Sequence, residues 1–80
     1  MTLQEACEQA LAYFRIQNRD SIASALDAQS HWIFYPGTPG QAEYGLAGIK
    51  IDKESGAVET FILPDEENFE LLERAVKVEL

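Results

Sequence analysis

One run of five residues, His31-Trp32-Ile33-Phe34-Tyr35, constrains the fold of this chain more than any other segment. Aromatic and β-branched residues favour strands, and Pro36-Gly37 directly after the run is typical of a turn. Because every member is apolar or aromatic, we expect this strand to lie centrally in a sheet, with some cover on both faces. The rest of the chain has to supply the neighbouring strands and that cover.

Three other segments are candidate neighbours of this strand. The side chains of residues 46–52 alternate between two faces, as in a strand, and residues 57–63 are predicted to form the strand that pairs with it. A tight turn at residues 52–56 joins the two. Gly56 closes that turn and supplies the positive φ that such a hairpin requires. Residues 21–30 are ambiguous, because their apolar residues fit either a short strand or one face of a helix. We prefer the short strand.

The two ends of the chain predict amphipathic helices. In the first, Thr2 and Glu5 have the spacing of a capping box, in which each residue satisfies a free N–H group of the other. Its apolar stripe consists of Leu3, Cys7, Ala10, Leu11 and Phe14. The second helix follows Pro64, with Asp65 as its cap and cations in its last turn. Its predicted apolar stripe consists of Phe69, Leu72, Ala75 and Val76, and the cations are Arg74 and Lys77.

These elements predict a single α+β domain over residues 1–80. Eighty residues leave room for only one hydrophobic core. We expect a three- to four-stranded antiparallel meander, covered on one face by the N-terminal and the C-terminal helix. The predicted core consists of Leu11, Phe14, Trp32, Phe34, Ile49, Ile51, Val58, Ile62, Phe69, Leu72 and Val76.

The charge balance excludes several classes of partner. Six Lys and Arg against fourteen Asp and Glu give a net charge of −8. Nucleic-acid binders need a basic surface to displace counterions from phosphates, so we expect no nucleic-acid partner. No apolar run is long enough to span a bilayer, and anionic membranes would repel the chain. The negative charge suits a basic protein partner, although solubility alone would also account for it.

Cysteine usage and the N-terminus indicate a cytoplasmic protein. The single cysteine, Cys7, cannot form an intramolecular disulfide, and a small secreted domain would usually depend on such bonds. The opening residues 1–5 also lack the basic region of a signal peptide.

No recognisable catalytic or metal-binding set is present, and the sequence predicts a protein that is not an enzyme. Nucleophilic catalysis needs a nucleophile, a base and an orienting group, and the chain has one thiol, Cys7, and one imidazole, His31. Cys7 falls on an apolar helix stripe, where a thiol is inert, and no third member accompanies the pair. Two such residues cannot hold structural zinc either, so we expect no metal and no cofactor.

The remaining candidates for function are residues that could bind a protein. The loop at residues 36–45 is longer than a usual hairpin connection, and long loops in compact domains are often functional. Tyrosines give contact area at low entropic cost, and glutamates spaced along one helix face form a solvated acidic surface. The predicted partner-binding residues are Tyr35, Thr38, Gln41, Glu43, Tyr44, Glu66, Glu70 and Glu73.

Three segments form a recognisable pattern: the alanine-rich helix segment at residues 10–14, the aromatic strand at residues 32–35, and a strand at residues 46–56 that starts with small residues and ends in an Asp-Lys-x-x-Gly turn. In this pattern, about two-thirds of the chain resembles the immunity protein 35 type of domain from bacterial toxin–immunity systems. The resemblance implies a cytosolic inhibitor that binds and blocks a cognate toxin.

The sequence thus predicts a small acidic binding protein, with an immunity protein as its most specific form. The contact surface would be the acidic helix face together with the 36–45 loop. The alternative is a structural or regulatory homodimer assembled through the aromatic strand, and the sequence does not decide between a monomer and a homodimer.

Overall fold

The computed structural model describes residues 2–16, 21–37, 48–61 and 66–78, and for residues 66 and 67 it describes the backbone alone. The elements in chain order are α1 (Leu3–Ile16), β1 (Ile22–Asp27), β2 (His31–Pro36), β3 (Gly48–Asp52), β4 (Val58–Phe61), α2 (Glu66–Arg74) and β5 (Val76–Val78). The strands form one antiparallel sheet in the order β4-β3-β2-β1-β5. The predicted α+β class and the meander are therefore confirmed, and the ambiguous segment is a strand.

The two helices lie on opposite faces of this sheet, not on one face as the sequence suggested. Side chains of β2 alternate between the faces: Trp32 and Phe34 belong to a core cluster with α1, whereas Ile33 and Tyr35 belong to a second cluster with Leu71 of α2. A central strand that is apolar on both sides needs cover on both sides. The apolar run itself therefore requires this three-layer arrangement.

The C-terminal helix ends earlier than predicted, and a fifth strand follows it. The Ala75 N–H donates to the Leu72 carbonyl at 3.2 Å, and α2 ends at Arg74. Val76 and Val78 then pair with β1, opposite Asp27 and Ala25. Strand pairing suits β-branched residues better than a helix does, so the Val-Lys-Val segment extends the sheet.

The core confirms part of the predicted list and corrects the rest. The largest fully buried side chains are Phe14, Ile33, Phe34, Ile49, Ile51 and Phe61. Three predicted core residues lie at the surface instead, since Val58, Phe69 and Val76 are 37%, 47% and 66% exposed. Ile62 lies outside the described residues. The three exposed residues belong to β4, α2 and β5. The side chains of these elements that face the core are not the ones that the sequence predicted.

Two local predictions are confirmed in atomic detail. The Glu5 N–H donates to Thr2 Oγ1 at 3.2 Å, and the Thr2 N–H donates to Glu5 Oε1 at 3.0 Å, which is the predicted capping box. In the β3–β4 turn, Gly56 has a φ of 76° and its N–H donates to the Asp52 carbonyl at 2.8 Å. Local sequence signals therefore set both features.

The central position of β2 limits how this strand can pair with a second copy of the chain. β2 is paired with β1 on one side and with β3 on the other, so the aromatic strand offers no free edge to a second copy of the chain. A homodimer that pairs this strand edge to edge with a second copy is therefore excluded, and the homodimeric state itself stays a prediction. Within the described ranges, neither helix combines the length and the apolar character needed to cross a membrane.

Candidate protein-binding surface

The layer between the sheet and α2 contains buried polar groups. Lys50 on β3 is 5% exposed, and its Nζ donates to Asn68 Oδ1 of α2 at 2.9 Å. Glu59 Oε2 lies 3.6 Å from the same Nζ, but that side chain is 66% exposed. Ser24 is also buried, and its partner across the β1–β2 pair is Tyr35 on this side of the sheet.

The Lys50–Asn68 hydrogen bond sets the rotation of α2 about its axis. Asn68 points inward, and Leu71, three residues later on the same helix face, is buried beside it. Phe69 is one residue after Asn68 and therefore points outward. Phe69 is 47% exposed, and Glu70 and Glu73 are exposed with it. The outer face of α2, defined here as Phe69, Glu70 and Glu73, is therefore an acidic surface with one aromatic ring.

The structure brings together some of the predicted partner-binding residues. Glu70 and Glu73 share the outer face of α2, as their spacing predicted. Glu66 is the first residue of the same helix, and the structure describes only its backbone. The loop residues Thr38, Gln41, Glu43 and Tyr44 lie outside the described residues.

Tyr35 is not a surface residue, which corrects its assignment to the binding surface. It is 4% exposed, and its ring packs edge to face against Phe61 with the centroids 6.2 Å apart. The alternation along β2 places it in the layer under α2, beside the backbone of Gly48. Burial of the ring leaves it with a packing role.

Phe69 is the surface residue that the sequence reasoning missed, because its spacing with Leu72 and Val76 resembles a core stripe. An equally regular stripe runs through Asn68, Leu71, Leu72 and Ala75, and this is the one that packs inward. The signal that distinguishes the two stripes is Lys50, which occupies an inward position on β3 and needs a hydrogen-bond acceptor.

In the part of the chain that the structure describes, Lys50 and Lys53 are held by groups of the domain itself. Lys50 lies under α2 as described, and Lys53 Nζ donates to Asp27 Oδ1 at 2.6 Å. Lys53 Nζ also lies 5.0 Å from the centre of the Trp32 ring, which is within the range of a cation–π contact. Each of these two ammonium groups therefore lies beside an oxygen atom of the domain itself.

His31 is part of a turn network and does not pair with Cys7. Ser30 Oγ lies 2.7 Å from His31 Nδ1, and His31 Nε2 lies 3.6 Å from Asp52 Oδ2. The other oxygen of Asp52 accepts the N–H groups of Glu54 and Ser55, which fastens the β3–β4 turn. We assign this network to joining the two turns at one end of the sheet.

Cys7 lies half-buried in the cluster under α1. Burial, with a smaller contribution from Glu8, raises the pKa of the Cys7 thiol. The thiol is therefore protonated near neutral pH and is a poor nucleophile. Among the residues that the structure describes, no group of three or more His, Cys, Asp or Glu side chains could hold a metal ion.

Acidification tests the turn network. The hydrogen bond from Lys53 is the main cause that lowers the pKa of Asp27 below its ordinary 3.8, and backbone N–H groups of Ser55 and Glu54 lower that of Asp52. A carboxyl whose pKa is lower in the folded state stabilises the fold above its ordinary pKa and loses that contribution as the pH falls through the folded pKa. We expect the urea midpoint to decrease below about pH 4.

The control for this measurement is Asp27→Asn, which removes one of the titrating groups. Its urea midpoint should be lower than that of the unchanged protein at neutral pH and should depend less on pH between about 4 and 2. An identical pH dependence in both proteins would show that the Asp27–Lys53 bond does not contribute to acid sensitivity.

Comparison of the chain with protein-family models, with curated proteins and with solved structures found no match. The geometry of the chain itself is therefore the basis for the functional argument that follows.

Proposed function

We propose that this domain is a non-catalytic binding protein that acts in the cytoplasm and blocks a basic protein, in the manner of an immunity protein that inhibits its cognate toxin. The observation that carries this proposal is the outer face of α2, where Glu70 and Glu73 are exposed together beside Phe69. A polar rim around an exposed aromatic side chain is the usual anatomy of a protein-binding surface.

The overall charge supports the same proposal. The net charge is −8, and Lys50 and Lys53 lie against groups of the domain itself. A field of one sign attracts an oppositely charged partner before contact and raises the rate of encounter, and the effect weakens with added salt. An inhibitor that must reach a toxin quickly benefits from that steering.

The alternative is a structural or regulatory homodimer, and the contact expected for it through the aromatic strand has little support in the geometry. The aromatic strand is the centre of the sheet, and Trp32 and Tyr35 are both buried. The proposal of an inhibitory binding protein does not require that strand to be free, and the geometry therefore favours it.

Charge-neutralising substitutions on α2 test the proposal, and the proteins encoded by the genes adjacent to that of this chain are the candidate partners to assay. Glu70→Gln with Glu73→Gln should reduce the association rate about three- to tenfold at low salt and flatten its dependence on salt. The measurement is stopped-flow or surface-based association at several ionic strengths, together with rescue of growth when the two proteins are co-expressed.

A matched control removes the same number of charges elsewhere. Glu8 on α1 and Glu54 in the β3–β4 turn are also exposed, so Glu8→Gln with Glu54→Gln gives the same net charge without changing α2. The proposal requires a smaller effect from this pair. Equal effects of the two pairs would mean that net charge alone steers the partner. If the unchanged domain neither binds the partner nor rescues growth, the proposed function is contradicted.

A further inference from the structure

The exposure of Phe69 runs against the interior preference of its residue type. A helix with nine residues and few apolar side chains would be expected to bury its only aromatic ring, yet α2 buries Asn68 and leaves Phe69 47% exposed. Sequences break such local preferences mainly where function requires it. The exposed ring, which lies beside two exposed carboxylates, is therefore a candidate for contact with a partner.

The surroundings of the ring define the chemistry of that occupant. Glu73 is four residues after Phe69, one helical turn along the same row, and Glu70 lies one turn before Glu73 on the neighbouring row. Both carboxylates are exposed, so a partner that covers the ring must place cations beside it. Covering the ring also removes apolar surface from water, which favours an apolar pocket over a flat polar surface.

We propose that Phe69 is the apolar anchor of the binding surface, and that its occupant is a cationic protein surface with one apolar pocket that receives the ring. This inference rests on the proposed function and specifies it, because it gives different roles to the residues on the outer face of α2. The glutamates speed the encounter, and the ring slows dissociation once the partner is seated.

Asn68 and Lys50 are positioning residues for this anchor. Their 2.9 Å hydrogen bond holds Asn68 toward the sheet and so keeps Phe69 directed outward. Neither side chain is available to the partner, since Lys50 is 5% and Asn68 is 4% exposed. A change at Asn68 should therefore weaken binding through the direction of the ring.

A pair of synthetic peptides tests the anchor directly. Both are short helical peptides with the same row of lysines; one carries a row of leucines beside it, and the other carries serines in their place. At physiological ionic strength of about 0.15 M, the lysine–leucine peptide should bind the unchanged domain at least about tenfold more tightly than the lysine–serine peptide. In Phe69→Ala this preference should disappear, while the lysine–serine peptide should bind as before.

Ile16→Ala is the matched control, because Ile16 is an apolar residue on α1 that is 84% exposed. It should retain the full preference for leucine, and circular dichroism of all variants should show the same fold. An unchanged preference in Phe69→Ala would overturn the anchor. So would equal binding of the two peptides to the unchanged domain.

The same titrations separate the anchor from the proposed function. If Glu70→Gln with Glu73→Gln weakens both peptides while Phe69→Ala changes neither, the acidic surface stands and the anchor is wrong. If none of these variants changes the affinity for either peptide, both the anchor and the acidic binding surface are wrong.

Discussion

Replacing Asn68 with alanine is expected to destabilise the domain by about 2–3 kcal/mol, which is the usual cost of removing a buried hydrogen bond to a charged group. Asn68 Oδ1 accepts from Lys50 Nζ at 2.9 Å in a layer where Lys50 is 5% exposed. The substitution leaves the buried ammonium without that acceptor. Urea unfolding followed by the fluorescence of Trp32, the single tryptophan, measures the change.

Two controls separate this bond from its surroundings. Glu59→Gln should cost no more than about 1 kcal/mol, because Glu59 is 66% exposed and water screens its attraction to Lys50. Lys50→Met combined with Asn68→Leu should be less destabilised than Asn68→Ala alone, since apolar replacement of both partners leaves neither group unsatisfied. A cost below about 0.5 kcal/mol for Asn68→Ala would show that the bond does not hold α2.

Replacing Gly48 with alanine is expected to cost about 2 kcal/mol or more, because the strand has no room for a side chain at its first residue. A Cβ at this position would lie 2.6 Å from the Phe34 carbonyl oxygen and 3.0 Å from the Tyr35 ring. The carbonyl belongs to the central strand and cannot move away without disturbing the sheet. Thermal unfolding should show a decrease in Tm on the order of 10 °C.

Gly56 provides the contrast, because it needs a backbone conformation and Gly48 needs space. Gly56 has a φ of 76°, which asparagine tolerates better than other residues. Gly56→Asn should therefore cost less than about 1 kcal/mol, whereas Gly48→Asn should be at least as harmful as Gly48→Ala. Equal costs for Gly48→Ala and Gly56→Asn would contradict the steric account of Gly48.

The sequence predicted the features that depend on neighbours along the chain. The capping box of Thr2 and Glu5, the β3–β4 turn closed by Gly56, and the strand character of β2 all follow from short-range chemistry, and all are present. The central position of β2 also followed, because a run that is apolar on both sides must be covered on both sides.

The features that the sequence did not predict depend on contacts between distant segments. The apolar spacing of Phe69, Leu72 and Val76 is a regular helical stripe, and only the burial of Lys50 on β3 selects the alternative setting of α2. Strand β5 likewise depends on a free edge of β1, which is known only once the sheet is assembled. Helical periodicity cannot report either condition.

The proposed binding surface shows the same division. The spacing of Glu70 and Glu73 was sufficient to place them on one helix face, but Phe69 was assigned to the core and Tyr35 to the surface, and the structure reverses both. The charge of −8 favours a basic partner, and the long-range contact of α2 with the sheet determines which of its side chains face solvent.

The proposed binding surface depends on the orientation of α2, which is turned so that Phe69 faces solvent and Leu71 faces the sheet. Thiol labelling measures this most directly: in a Cys7→Ser background, Phe69→Cys and Leu71→Cys are compared for their rates of reaction with a soluble disulfide reagent. We predict that a cysteine at position 69 reacts within about tenfold of the rate of an unfolded peptide, and that one at position 71 reacts at least about a hundredfold more slowly. Strong protection at position 69 would contradict the orientation of α2 and, with it, the binding surface proposed here.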